Sequence, residues 1–152
     1  MGVIAQTNGT PAAFPNVSAL ATLAAGSGAG LGAVASSAAT NYRVDVSLTC
    51  GSAPGNAATV YFSWYLIESS NGTTYTDGVS PTLAATALAS IPLANAREIK
   101  RTSFAASAVS AYDSFCLPVI DLSASWSLIG VNNLGVALTA ITATYTPAAG
   151  SY

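Results

Sequence analysis

From residue 41 the chain alternates. Tyr42, Val44, Val46, Leu48 and Cys50 are apolar, and Arg43, Asp45, Ser47 and Thr49 between them are polar. A period of two places each set on its own face of an extended strand, so 41–50 is predicted to be a half-buried strand with a polar outer side. The densest run of β-formers follows at 60–67, Val-Tyr-Phe-Ser-Trp-Tyr-Leu-Ile. Here Val60, Phe62, Trp64 and Leu66 share one face, while Tyr61, Ser63, Tyr65 and Ile67 share the other. That second face is too apolar for bare solvent and calls for another layer or another subunit. Asn71-Gly72 separates this run from a shorter one at 73–76, which predicts a hairpin with a type I′ turn.

Further along, 126–131 (WSLIGV) is apolar on both sides, 132–135 reads as a turn, and 136–145 (VALTAITATY) as the last strand, with 146–152 a loop. A strand or strand end is expected at 115–120, with Pro118 confined to an edge or bulge. The weakly patterned parts are 18–24 and 31–37, read as strands joined by a glycine-rich turn at 25–30, with a helix over part of 17–25 as the alternative. Segment 79–96, bounded in part by Pro81 and Pro92, fits a strand or a short helix, and 102–111 a loop or edge strand. Asn8-Gly9, Pro11 and Pro15 mark 1–16 as an extended arm. The sum is about eight short strands with turn signals between them, which indicates an all-β antiparallel β-sandwich or jelly roll. Residues 1–40 form the N-terminal arm and weak strands, and 41–152 the sandwich, within a single domain.

Composition changes the picture in one respect. Of 152 residues, 51% are hydrophobic and only 7% charged, against about 25% charged in ordinary domains. A packed core is therefore available, and the polar surface must be Ser, Thr, Asn and backbone. Such a surface suits packing into an assembly better than life as a concentrated monomer. The net charge of −2, with four cations in all, gives no basic face for nucleic acid. The uncharged stretch 17–39 is broken by glycines and is too poor in large apolar residues for a membrane span. The first charge is Arg43, so a secretory leader with a positive start is not expected.

Candidate chemistry is sparse. There is no histidine, which removes Ser-His-Asp and Cys-His catalysis and most zinc sites. Gly28-Ala29-Gly30-Leu31-Gly32-Ala33 fits a loose dinucleotide pattern, but no parallel βαβ series follows it. The carboxylates Asp45, Glu68, Asp77, Glu98, Asp113 and Asp121 are scattered; a hydrolase would need a facing pair such as one involving Asp113 or Asp121. No spacing fits a calcium loop. Cys50 and Cys116 read as small buried hydrophobes, with a disulfide open in an oxidising compartment. Asn8, Asn16 and Asn71 head glycosylation sequons, which matter only in a eukaryotic secretory route. Arg97, Lys100 and Arg101 form the one basic patch, either a contact for an acidic partner surface or a solvated loop partly neutralised by Glu98. Together with Tyr61, Tyr65 and Ile67 they are the expected interface residues. Tyr61, Tyr65, Tyr75, Trp126 and Tyr145 could also stack on sugars, though aromatics at strand spacing are more often core or interface.

Two segments carry a resemblance. One is 61–78, a strand followed by SSNGTTYTDG; the other is 126–145, WSLIGVNNLGVALTAITATY. The chain resembles small tailed-bacteriophage virion proteins of the jelly-roll head decoration, or cement, type, over about residues 40–146. Asn71 stands where Asp is common, which leaves the turn intact. The resemblance implies a non-enzymatic structural protein on the capsid exterior, assembled in the bacterial cytoplasm. It further implies a homo-oligomer, dimer or trimer, bound to the major capsid protein, with no cofactor, metal or catalytic residue. On this reading the arm reaches onto a neighbour. The alternative is a tail or fibre module that binds a host-surface glycan.

Overall fold

The computed structural model describes residues 5–36, 41–55, 57–117 and 124–151. Its strands are β1 (Ala5–Asn8), β2 (Ala12–Ala13), β3 (Ser27–Gly30), β4 (Val34–Ala35), β5 (Asn41–Cys50), β6 (Tyr61–Ser69), β7 (Thr86–Ala87), β8 (Arg97–Thr102), β9 (Ser110–Cys116), β10 (Ser125–Asn133) and β11 (Leu138–Ser151). Among the described residues the only helical pieces are short 3-10 turns at Val17–Leu20, Thr76–Gly78 and Leu88–Ser90.

The strands form two antiparallel sheets packed face to face. One is five-stranded, in the order β1-β11-β5-β9, with β2 also on β11; the other is six-stranded, in the order β7-β3-β10-β6-β8, with β4 also on β10. The alternation in β5 does what its period requires. Tyr42, Val44, Val46, Leu48 and Cys50 enter the inter-sheet core, where they meet Phe62, Trp64 and Leu66 of β6 and Trp126 and Leu128 of β10. Trp126 anchors an aromatic cluster, with ring centroids 5.7 Å from Phe14, 4.9 Å from Tyr42 and 5.9 Å from Tyr145. These offset geometries are those favoured by the ring quadrupoles.

The apolar outer side of the six-stranded sheet is covered from within the chain. Tyr75, Val79 and Ile91 pack on Ile67, Ile129 and Val131, with Leu83, Leu88, Leu93 and Ala96 around them. Segment 75–96 is thus a third layer, mostly irregular. This layer explains why β10 is apolar on both sides. It also corrects the placement of Ile67 in an interface: Ile67 is completely buried beneath this layer.

Four further expectations change. The hairpin at 71–72 does not form. Gly72 takes φ +75, but Asn71 does not share a positive φ, and its Oδ1 instead accepts the N–H groups of Thr73 and Thr74. That Asx turn sends the chain over the sheet, and β6 pairs with β8 and β10.

The glycine-rich turn is instead strand β3. It can lie in the sheet because a side chain at Gly30 would collide with the Pro81 carbonyl; without one, the Gly30 and Gly32 N–H groups donate to Leu83 and Pro81 carbonyls.

The arm is not free over its described part. β1 pairs with the far end of β11, Ala5 opposite Ser151, and Phe14, Leu20, Leu23 and Leu31 are buried in the main core. Leucines this large are better buried than displayed on a reaching arm. The same pairing makes 146–151 strand rather than loop. The predicted strand end at 118–120 lies outside the described residues.

Candidate functional site

Arg43, Asp45, Glu98, Lys100, Arg101 and Asp113 gather with the exposed Tyr112 along one rim, where β8 closes the six-stranded sheet and β9 closes the five-stranded one. Phase decides which way each side chain points. In β9, Ala111 and Phe115 pack against the core, and Asp113 shares their inward phase. Ser110, Tyr112, Ser114 and Cys116 point outward.

Asp113 joins the two sheets. Trp64 Nε1 donates to Thr102 Oγ1 at 3.1 Å, and Thr102 Oγ1 donates to Asp113 Oδ2 at 3.0 Å. Lys100 Nζ lies 3.2 Å from Asp113 Oδ1, and the same oxygen accepts the Ser114 N–H at 2.9 Å. An ion placed at a core rim is tolerable because every oxygen has a donor.

On the outer face of the five-stranded sheet, Asp45 Oδ1 accepts Arg43 Nη2 at 2.8 Å and the Tyr112 hydroxyl at 2.8 Å, while Arg43 Nε donates to Ser114 Oγ. Partial burial works against the Asp45 charge, but its bonds with Ser114, Arg43 and Tyr112 outweigh this and hold the carboxyl below its ordinary value.

On the outer face of the six-stranded sheet, Arg101 forms a two-pronged pair with Glu98, at 2.7 and 2.9 Å. The Ser63 hydroxyl donates to the same carboxylate at 2.7 Å. The Arg101 guanidinium also sits 4.3 Å above the Tyr61 ring, a cation–π arrangement. The Arg101 bonds lead in holding Glu98 below its ordinary value. Burial, then the Glu98 charge, pushes the Tyr65 hydroxyl up.

Of the six expected interface residues, Tyr61, Tyr65 and Arg101 do come together, at the β6–β8 edge. Lys100 turns to the opposite side because it neighbours Arg101 on the strand and faces Trp64; the register shift between Trp64 and Tyr65 is what brings Glu98 onto the Arg101 face. Arg97 is exposed at the start of β8, and its charge acts on Glu68, whose carboxyl burial pushes up. The cluster 97–101 is therefore neither a loop nor a free basic patch. Lys100 and Arg101 are held in ion pairs, as is Arg43.

Residue reasoning passed over Val109 and Tyr112, which among the described residues are the large hydrophobics that stand exposed, at 45% and 67%. The signal was present in the alternation of Ser110, Tyr112 and Ser114 with Ala111, Asp113 and Phe115. Of the five aromatics considered for sugar stacking, Tyr61 and Tyr65 lie at the β6–β8 edge, Tyr75 and Trp126 are buried, and Tyr145 packs against the core.

Other sequence candidates resolve into structure. The 28–33 glycine motif has its N–H groups engaged within the sheet and to Leu83 and Pro81, so they form no phosphate cradle. Asp77 has φ 57 and accepts the Asn95 and Ala96 N–H groups; it ties the two ends of the covering layer together. Asp121 lies outside the described residues. Cys50 and Cys116 are both free. Cys116 is opposite Arg43 and Cys50 opposite Leu138, so they sit at opposite ends of β5, about 20 Å apart at strand rise. That is well outside disulfide reach. Among the described residues no group of three or more His, Cys, Asp or Glu could hold a metal. Among them, too, no helix is long and apolar enough to cross a membrane.

No protein-family model matches the chain, and no curated protein matches it in sequence.

Proposed function

We propose that the protein is a structural component of a tailed-phage virion, a decoration protein that binds the outer surface of the major capsid protein lattice. One observation carries this reading. The charges on the outer face of the five-stranded sheet, Arg43 and Asp45, neutralise each other, and the rest of that face is Ser47, Thr49, Ser110, Tyr112, Ser114, Thr142 and Thr144. A charge-depleted face with an exposed tyrosine has the composition of a protein contact surface. The resemblance of 61–78 and 126–145 to virion proteins supports the same reading. The contact is made by the sandwich's faces and rim, since the described part of the arm belongs to the fold.

The test is reconstitution on capsids purified from particles lacking this chain. The expected result is saturable binding, ordered density over the head and a higher temperature of capsid disruption. Absence of binding, or density confined to the tail, refutes the proposal. Tail-confined density with glycan binding would favour a host-recognition module instead.

A further inference from the structure

The sandwich has four sheet edges, and three carry devices that block strand addition. Between β1 and β2 the edge is interrupted at Gly9-Thr10-Pro11. The β3–β4–β7 edge is built of very short strands and is overlaid by the 81–83 chain. β8 carries Arg97, Lys100 and Arg101 and an irregular register. Cations, prolines, bulges and short strands are the usual protections of an edge. Among the described residues β9 has no cation, proline or bulge; its one guard is the inward-phase carboxylate of Asp113, which is already spent on Lys100 and Thr102. It runs seven residues, Ser110–Cys116, in unbroken register with β5.

The hydrogen bonds that flank β9 give the direction of its free groups. Cys50 N–H donates to Val109 and Leu117 N–H to Tyr42. Directly opposed residues in an antiparallel pair alternate between bonded and non-bonded. The odd-numbered residues of β9 therefore face β5, and the N–H and C=O groups of Ser110, Tyr112, Ser114 and Cys116 face outward. The Ser114 N–H is already taken by the Asp113 carboxylate, and the Ala108 N–H by the Ala105 carbonyl. Ser110, Tyr112 and Cys116 keep open donors.

We propose that β9 is a self-association edge: two copies of the chain pair β9 with β9 antiparallel about a two-fold axis at Tyr112, joining their five-stranded sheets into one. In this register Tyr112 bonds Tyr112 of the second copy, Ser110 donates to Ser114, and Cys116 donates to Ala108. All three open donors of each copy are used, and neither capped N–H is required. Shifting the axis to Asp113 would set two carboxylates directly opposite each other, which opposes pairing. Shifting it to Ser114 would call on the capped N–H. The two Tyr112 side chains stand on the same outer face, each hydroxyl keeping its bond to Asp45 of its own copy. The flanking charges are already balanced by Arg43–Asp45 and Lys100–Asp113, so a second copy brings no net repulsion. The same strand matches itself because a two-fold interface is isologous.

The inference concerns the chain in solution and stands apart from the capsid reading; purified protein without capsids tests it. Sedimentation of the native chain should give a dimer, and Tyr112→Pro a species of half the mass. The proline removes an outward N–H and leaves the β5–β9 ladder whole. A second readout uses Cys116→Ser as background. Tyr112→Cys should then give a disulfide-linked dimer on mild oxidation, since the paired Cα atoms would be about 5.5 Å apart. Ser114→Cys should not, because it faces Ser110 of the other copy. A monomeric native chain, an unlinked Tyr112→Cys variant, or Ser114→Cys linking equally well would each overturn the proposal.

Discussion

At the scale of single residues, the rim rests on Thr102, which is almost wholly buried. Its hydroxyl accepts from Trp64 and donates to Asp113, so Thr102→Val strands a buried indole N–H. A stranded buried donor costs about 1–3 kcal/mol, and chemical denaturation should show a loss of that size. Two carboxylates give opposite pH signatures. The Asn95 backbone and side-chain bonds lead in holding Asp77 below its ordinary value. Its contribution is present above the unfolded value of about 3.9 and is lost as pH falls through the folded value. Asp77→Asn should therefore lower the thermal midpoint at pH 7 and cost progressively less as the medium is acidified through that range. Glu68 is pushed up by burial, so the protonated form is the one the fold prefers. Glu68→Gln should raise the midpoint at pH 7, an advantage that fades as pH falls through the raised folded value and is gone below the unfolded one, where the carboxyl is neutral in both states. A Glu68→Gln effect that grows toward acid would contradict the assignment.

At the scale of elements, the strands with strict alternation were legible because burial on one side leaves a period of two. β5 and the doubly apolar β10 follow directly from their residues. β3 was not legible, since its Gly and Ala carry no phase information; what makes it a strand is its pairing with the distant β10 and β7. The hairpin failed for a related reason. Asn71 can serve an I′ turn or an Asx turn, and the apolar outer side of β6 and β10 draws Tyr75 and Val79 across the sheet instead. Three of the six expected site residues, Tyr61, Tyr65 and Arg101, share a patch; Lys100, next to Arg101 on a strand, falls on the other face by alternation, while the register shift that sets Glu98 beside Arg101 has no local pattern to announce it. The covering layer makes a clear prediction for Ile67. Ile67→Ala should cost about 2–5 kcal/mol of stability without changing the oligomeric state, whereas an interface residue would do the reverse. Gly130 lies where an added Cβ would come within 2.8 Å of the Phe62 ring and also meet Leu20. Gly130→Ala should then overpack the core and cost about 1–3 kcal/mol in denaturant titration.

At the scale of the whole molecule, nothing covalent holds the sandwich closed. Both thiols are free and far apart, so a reducing agent should leave the thermal midpoint unchanged; a fall would mean an inter-chain bridge at the exposed Cys116. What closes the structure is β11, which pairs with β1, β2 and β5 together. During translation, β1 has no partner until residues 148–151 have left the ribosome. β1 must therefore wait for the far end of β11, well over a hundred residues later, and loop-closure entropy makes such pairings slow. Arrest of synthesis a few codons short of residue 148 would leave β1 unpaired on the nascent chain, a state in which protease should clip within 5–10 before any other part of the fold.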